Sequence, residues 1–232
     1  IEAAKNLGIA VTNVAGYAKH SVAQYVFANL LEIFNKTHHY IDNTQKGTWQ
    51  KSDTFCLIDK PINELNKKTL GLIGYGAIAK QVEIIAQAFG MQVIIAERPG
   101  ERDIRQGRVE FDHVLAQSDI ISIHCPLDNK NHHLFGKETL HKMKKGSVLI
   151  NTARGGLVEN QALIASLQSG QLSYAVIDVL DQEPPPADHP LLNTELKNLI
   201  ITAHIAWGSQ QAQQALLNII GENIQAFTNG KR

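Results

Sequence analysis

Six short apolar runs separated by stretches of helical spacing constrain this chain more than any other feature. They fall at residues 69–73, 92–96, 120–124, 148–151, 174–179 and 199–202. Each is a nearly continuous row of Val, Ile and Leu, not an alternation of apolar and polar residues. Strands read that way when helices cover both faces of their sheet, as in parallel sheets. Between most of the runs, residues 77–89, 111–117, 137–143 and 161–168 repeat apolar residues at helical spacing. Strands alternating with helices predict right-handed βαβ units, hence an α/β fold with a doubly wound parallel sheet of the Rossmann kind. After the fifth run a loop, 181–197, takes the place of a helix and carries three consecutive prolines at 184–186. Two more helices are expected at the flanks. One runs from a capping Ser21 to about Lys36, with Val22, Tyr25, Val26, Leu30 and Ile33 as its apolar face; the other covers 209–228. Residues 37–53 form a polar stretch between the first of these and the regular pattern.

Composition excludes several classes. A chain of 232 residues is one large domain or two small ones, at about 150 residues per domain, and can bury a sizeable core. Twenty-two Lys and Arg balance 22 Asp and Glu, and charged residues make up only 19%. That balance argues against an electrostatic footprint on nucleic acid or anionic lipid. Apolar residues at 44% argue against disorder. No apolar run approaches the roughly 18 residues of a membrane span. Cys56 and Cys125 have no metal-ligand spacing, and Cys125 borders an apolar run as a buried thiol would. A reducing compartment, the cytoplasm, is the simplest expectation. No His, Cys, Asp or Glu cluster has metal spacing, so no metal is predicted. The chain opens on Ile1 with what reads as a helix end, a turn at Gly8 and a short strand at 9–12. A strand with no sheet before it predicts a start inside a domain.

The first run leads into LGLIGYGAIAKQVEIIAQAFG. Gly74, Gly76 and Ala79 fit G-x-G-x-x-[G/A] where a strand turns into a helix. Gly74 permits the tight turn, Gly76 lets a pyrophosphate approach the backbone, and Ala79 lets the helix pack close to the sheet. The helix start, at Ala77 and Ile78, offers free N–H groups and a positive dipole end to phosphates. Ile78, Val82, Ile85, Ala86 and Phe89 are its expected buried stripe, with Gly90 closing the helix. Alone, such a string also marks a flexible turn in any α/β protein; here the strand before it and the helix after it are both legible. The second run ends in Glu97, about 20 residues beyond the glycines, where a carboxylate can accept both adenosine ribose hydroxyls and repel a 2′-phosphate. NAD is therefore expected over NADP, with Arg98 next door pulling the other way. A solvated strand-end carboxylate is the plainer reading of Glu97.

Three polar residues follow the ends of later strands, where ligands of open α/β sheets bind. Arg154, in NTARGGLV, can hold a substrate carboxylate through paired N–H groups and polarise the adjoining carbonyl. It could also be a surface arginine, although the two following glycines indicate a constrained loop. Glu183, in DQEPPP, and His204, in ITAHIAWG, form the second element. A carboxylate on one imidazole nitrogen fixes the tautomer and stabilises the protonated ring, leaving the other nitrogen to exchange a proton. The chain has ten histidines; His38, His39, His132, His133 and His141 lie in polar stretches and are expected to be solvated. Asp178 sits inside the apolar fifth run and needs a partner, either a nicotinamide amide or a nearby backbone N–H.

With these residues in view, the chain resembles the D-isomer-specific 2-hydroxyacid dehydrogenase family along nearly its whole length. The segments that carry the resemblance are VTNVAGYAKHSVAQ, GLIGYGAIAKQ, HCPLD, INTARGGLVENQAL, IDVLDQEPP with HPLL, and ITAHIAWGS. The ending, HIAWGS…ENIQAFTNGK, is most similar to the glycerate dehydrogenase or hydroxypyruvate reductase branch. The resemblance implies that Arg154 binds the substrate carboxyl and carbonyl, and that His204 is the general acid/base paired with Glu183. It also implies that Asp178 and His204 lie on the nicotinamide side, while Pro126, Thr152 and Ala153 line the cofactor. Two positions depart from the family pattern: Ala79 replaces the third glycine, and Ala203 replaces the proline before the histidine. Family members carry most of a flavodoxin-like substrate domain ahead of the position of Ile1. The implied organisation is a substrate-domain remnant at 1–16, an NAD-binding domain at 17–203 and a returning segment at 204–232. The implied activity is NAD-dependent interconversion of a short 2-keto acid and its D-2-hydroxy acid, hydroxypyruvate or glyoxylate first, by a homodimer formed through the helix at 21–36 and residues 47–49. A phosphoglycerate or D-lactate type, or a non-catalytic NAD(H)-sensing binding protein, are the competing readings.

Overall fold

A computed structural model describes residues 1–230. Its centre is one parallel sheet of β1 (Thr69–Ile73), β2 (Gln92–Ile95), β3 (Ile120–Ile123), β4 (Ser147–Asn151), β5 (Leu172–Ile177) and β6 (Leu199–Ile201), in the order β2-β1-β3-β4-β5-β6. All six expected strands form, within two residues of the expected ends. The continuous apolar runs are explained by the two cores they feed. Leu70, Leu72, Ile120, Val148, Ile150 and Val176 point to one face, under α2 (Lys19–Asn35) and α4 (Ala77–Ala88). Ile73, Ile121, Ile123, Leu149, Ala175 and Ile177 point to the other, under α5 (Phe111–Gln117), α6 (Lys137–Lys142) and α7 (Asn160–Gln168). Full burial of each such Leu, Ile or Val stabilises the fold by about 1.5–3 kcal/mol. The strand order reverses between β1 and β3, which opens a crevice at their carboxyl ends.

Four local expectations need correction. After a short helix, α1 (Glu2–Asn6), residues 9–12 form no strand, because no neighbouring strand among the described residues offers them a ladder. The polar stretch after α2 contains a helix, α3 (Thr37–Gln45), and a short 3-10 turn (Trp49–Lys51). No residue of α3 is buried, so it has no apolar face to read; polar ties hold it instead, His39 to Asp59 at 2.9 Å and the Tyr40 hydroxyl to the Lys60 carbonyl at 2.6 Å. Ser21 does not cap α2, which begins at Lys19 without a side-chain cap. Its hydroxyl instead donates to the Ala206 carbonyl at 2.7 Å, joining the helix to the loop after β6. Phe89 is 39% exposed, with one face stacked on Phe27.

Beyond β6, α8 (Gln210–Thr228) is capped by Ser209, whose hydroxyl accepts the Ala212 N–H. Leu217, Ile224 and Phe227 on this helix are exposed, as are Leu7, Ile9 and Val11 near the other end of the chain. The two ends meet where the Asn223 amide approaches the Asn13 carbonyl at 3.4 Å. No helix among the described residues is long and apolar enough to cross a membrane.

Candidate active site

The turn after β1 passes directly over the end of β3. Gly74 has φ 91°, and a Cβ there would stand 2.6 Å from the Cys125 amide nitrogen, so only glycine fits. Gly76 begins α4 with no side-chain cap, and a Cβ on it would meet nothing within 4 Å. Ala77 is exposed and Ile78 half-buried, while Ala79 is fully buried against the sheet. An uncapped helix start with open space before it is what an anionic pyrophosphate needs. The crevice widens into a cleft of about 660 Å³ between Gly74, Tyr75, Glu97, Arg98, Cys125 and Pro126. That is the size range of small-molecule and cofactor sites. At the carboxyl end of β4, the Thr152 hydroxyl is buried with no partner among the described residues. An unsatisfied buried hydroxyl costs about 1–3 kcal/mol, and a ligand's polar group would remove that cost. These residues fit a dinucleotide.

Glu97 follows β2 by two residues at this cleft, but its side chain is only 2% exposed and turns into the protein. Arg105 grips it through Nε at 2.7 Å and through a second guanidinium nitrogen, and the Arg98 N–H adds a bond at 2.8 Å. The Arg105 guanidinium, helped by the two backbone N–H groups, overcomes desolvation and lowers the Glu97 carboxyl to about 2. His124, just past the end of β3, is half-buried, and desolvation pushes it down to about 4, so its ring is neutral; it shares a hydrogen bond with Ser122.

The second cluster lies past the ends of β4, β5 and β6. Buried Asn151 fixes the turn that carries Arg154: its Oδ1 accepts the Ala153 N–H at 3.0 Å and its amide donates to the Arg154 carbonyl at 2.9 Å. The Arg154 side chain is exposed and spends one donor on the Ala153 carbonyl, leaving most of its five N–H groups for an anion. Gly155 packs against the Leu180–Asp181 backbone, which brings the Arg154 turn to the loop carrying Glu183. Oε2 of Glu183 lies 2.8 Å from Nδ1 of His204, and Oε1 accepts the Leu180 N–H at 2.9 Å. Partial burial pushes the Glu183 carboxyl up, but the Leu180 N–H, the His204 ring and the nearby Arg154 charge hold it below the usual carboxylate range. A carboxylate can only accept, so Nδ1 of His204 carries the proton of that bond. Nε2 bonds to nothing among the described residues.

The position of His204 depends on Asp178. The Asp178 side chain is buried at the end of β5, and its oxygens accept the Ile205 and Ala206 N–H groups, each at 2.9 Å, and the Thr202 hydroxyl at 2.5 Å. Its carbonyl also accepts the His204 N–H at 2.8 Å, and His204 adopts the left-handed conformation with φ 54°. Since the Thr202 proton goes to Asp178, the Tyr25 hydroxyl from α2, 2.5 Å from the Thr202 oxygen, is the donor in that pair. The backbone N–H partner expected for Asp178 is supplied by Ile205 and Ala206. Gly74, Glu97 and Pro126 thus line the cleft beside the start of α4 at Gly76, Ala77 and Ile78; Thr152, Ala153, Arg154, Asp178, Glu183 and His204 lie together past the ends of β4, β5 and β6. The sequence marks Gly155 only as part of a constrained loop and Tyr25 only as part of an apolar face; Asn151, Thr202 and Arg105, which also fix this geometry, carry no local signal in it.

The NAD binding domain of the D-isomer specific 2-hydroxyacid dehydrogenases matches residues 27–206. The chain belongs to this family, and it is an NAD-dependent oxidoreductase built on the family's Rossmann domain. It is 39% identical over 229 residues to the glycerate dehydrogenase of Methylorubrum extorquens, covering 99% of this chain and 72% of that protein. It is 37% identical over 233 residues to the hydroxypyruvate reductase of Blautia hydrogenotrophica, with 99% and 72% covered. Among solved structures, the D-lactate dehydrogenase of Lactobacillus jensenii with NAD+ matches with TM-score 0.80 and 30% identity, covering 100% of this chain and 72% of that one.

Proposed function

We propose that this protein reduces a short 2-keto acid, hydroxypyruvate or glyoxylate, to the D-2-hydroxy acid, and runs the reverse oxidation. The observation that carries the reading is the 2.8 Å contact of Glu183 with Nδ1 of His204, which leaves Nε2 free at the strand ends. When bound, the reduced dinucleotide supplies the hydride. Arg154 holds the substrate carboxylate through paired N–H groups and polarises the carbonyl beside it. As the carbonyl carbon becomes tetrahedral, its oxygen gains negative charge and takes the proton from Nε2 of His204. Glu183 keeps the ring oriented and compensates its positive charge before transfer. In the reverse direction, neutral His204 removes the hydroxyl proton. A role confined to sensing NAD(H) would not need this acid–base pair. The short carbon skeleton is favoured by the glycerate dehydrogenase and hydroxypyruvate reductase relatives.

On the same reading, residues 17–203 are the cofactor domain, and 1–16 with 204–232 belong to a substrate domain, in line with the Asn223–Asn13 contact. The unit is a cytoplasmic homodimer built on α2, α3 and the segment after it, where Ile41 and Trp49 stand exposed. The test is NADH oxidation with a panel of 2-keto acids, for the unmutated protein and Arg154→Lys. Lysine keeps the charge and loses the paired donors, so kcat/KM should fall by about 10²-fold or more while NADH affinity holds. No turnover of any 2-keto acid by the unmutated protein contradicts the reading; a parallel loss of NADH binding contradicts the role of Arg154.

A further inference from the structure

A carboxylate has two oxygens with about four acceptor sites between them. At Glu97 all four are used inside the protein. Oε1 accepts the Arg98 N–H at 2.8 Å and one guanidinium nitrogen of Arg105; Oε2 accepts Arg105 Nε at 2.7 Å and the Arg105 N–H at 3.3 Å. None is left for the ribose hydroxyls, and the negative charge that would repel a 2′-phosphate is matched by a bound guanidinium. What remains on the wall of the cleft is basic: Arg98, Arg108, Lys130 and the outer part of Arg105, which is 51% exposed. Among the described residues, Glu101 and Asp128 oppose them there. Asp128 is further occupied by the backbone N–H groups of Lys130 and Asn131.

We propose that Arg105, by closing on Glu97, opens the adenosine end of the cleft to a 2′-phosphate, so that this protein binds the 2′-phosphorylated dinucleotide as well as NAD. The inference rests on the dinucleotide cleft described above and concerns only its adenosine half. Arg105 acts in two ways: it removes the acidic discriminator, and it stands with Arg98 where a phosphate on the ribose is met by positive charge. A purely structural clamp, holding the 98–108 segment to the end of β2, would carry no such selectivity.

The experiment is calorimetric titration of the protein with ADP-ribose and with 2′-phospho-ADP-ribose, which lack the nicotinamide and report the adenosine half without turnover. For the unmutated protein the two affinities should agree within about tenfold, since neither ligand meets an unpaired acid. Arg105→Ala frees the Glu97 carboxylate, so 2′-phospho-ADP-ribose should weaken by about 10- to 100-fold relative to ADP-ribose, which should hold or tighten. Adding Glu97→Gln to Arg105→Ala removes the freed charge and should recover most of that loss. ADP-ribose binding without detectable 2′-phospho-ADP-ribose binding to the unmutated protein overturns the proposal and leaves the cofactor site standing. Equal weakening of both ligands by Arg105→Ala also overturns it and makes the clamp structural. If neither ligand binds the unmutated protein, the dinucleotide cleft itself is wrong and the proposal falls with it.

Discussion

Gly155 lies so close to Leu180 that a methyl group on its Cα would stand 1.9 Å from the Leu180 carbonyl carbon. The contact joins the turn after β4, which carries Arg154, to the loop after β5, which carries Glu183. One close backbone approach therefore holds the turn of Arg154 beside the loop of Glu183, the partner of His204.

Gly155→Ala should force these two loops apart. Overpacking of a tight contact costs about 1–3 kcal/mol, and here the neighbour is backbone that cannot rotate away. Thermal unfolding should show that loss, and kcat/KM for keto-acid reduction should fall by about 10²-fold, because a displacement of about 1 Å at a catalytic group has that effect. ADP-ribose affinity should be unchanged, since the adenosine cleft lies at the other end of the crevice. Unaltered kinetics would show that the loops are placed independently.

The Tyr25–Thr202–Asp178 chain predicts a graded series. Asp178→Asn exchanges a buried acceptor of three hydrogen bonds for a neutral group that must turn a donor toward one of them. Loss of hydrogen bonds to a buried charge costs about 1.5–3 kcal/mol. Tyr25→Phe removes only the outer donor and should cost about 1 kcal/mol. Both should lower kcat more than they raise KM for the keto acid, because they displace the backbone under His204 and not the carboxylate clamp. Denaturant unfolding and steady-state kinetics check the order; an Asp178→Asn protein as stable and active as the parent would refute the network.

Glu97 predicts an acid limb of stability. Its carboxyl is lowered from 4.5 to about 2 by Arg105. A carboxylate depressed on folding stabilises the folded state above its unfolded pKa, and this contribution is lost as pH falls through the folded value. The difference in melting temperature between the parent and Glu97→Gln should be constant above about pH 5 and shrink steadily toward about pH 2. A difference that stays the same or grows in acid would contradict the ion pair.

The parts of this protein that could be read along the chain are those with local pattern. Buried strands show as unbroken Val, Ile and Leu runs, and the phosphate-binding turn as glycines between a strand and a helix. Arg154 and His204 stand out because each follows a strand end in a stretch with few other reactive groups; Glu183, which shares its stretch with Asp178 and Asp181, stands out only as a carboxylate for the imidazole. What could not be read depends on partners distant in sequence. Arg105 lies in a polar segment with no periodicity, so its hold on Glu97 had no local sign. Tyr25 reads as part of an apolar helix face and Ser21 as a helix cap, yet their hydroxyls reach Thr202 and Ala206, more than a hundred residues on. Helix α3 has no buried face, so it lacks the signal by which helices are recognised.

On the proposed function, His204, oriented by Glu183, supplies the proton when the keto acid is reduced. The most direct test is kcat/KM for hydroxypyruvate reduction against pH, for the parent and His204→Ala, with NADH affinity measured alongside. In the parent, kcat/KM should fall as pH rises, because reduction needs the protonated ring. His204→Ala should lie lower by about 10²- to 10⁴-fold, the usual contribution of a positioned general acid, without that limb and with NADH affinity intact. A His204→Ala protein that keeps both the rate and the pH dependence of the parent would contradict the account, since the proton would then come from another group.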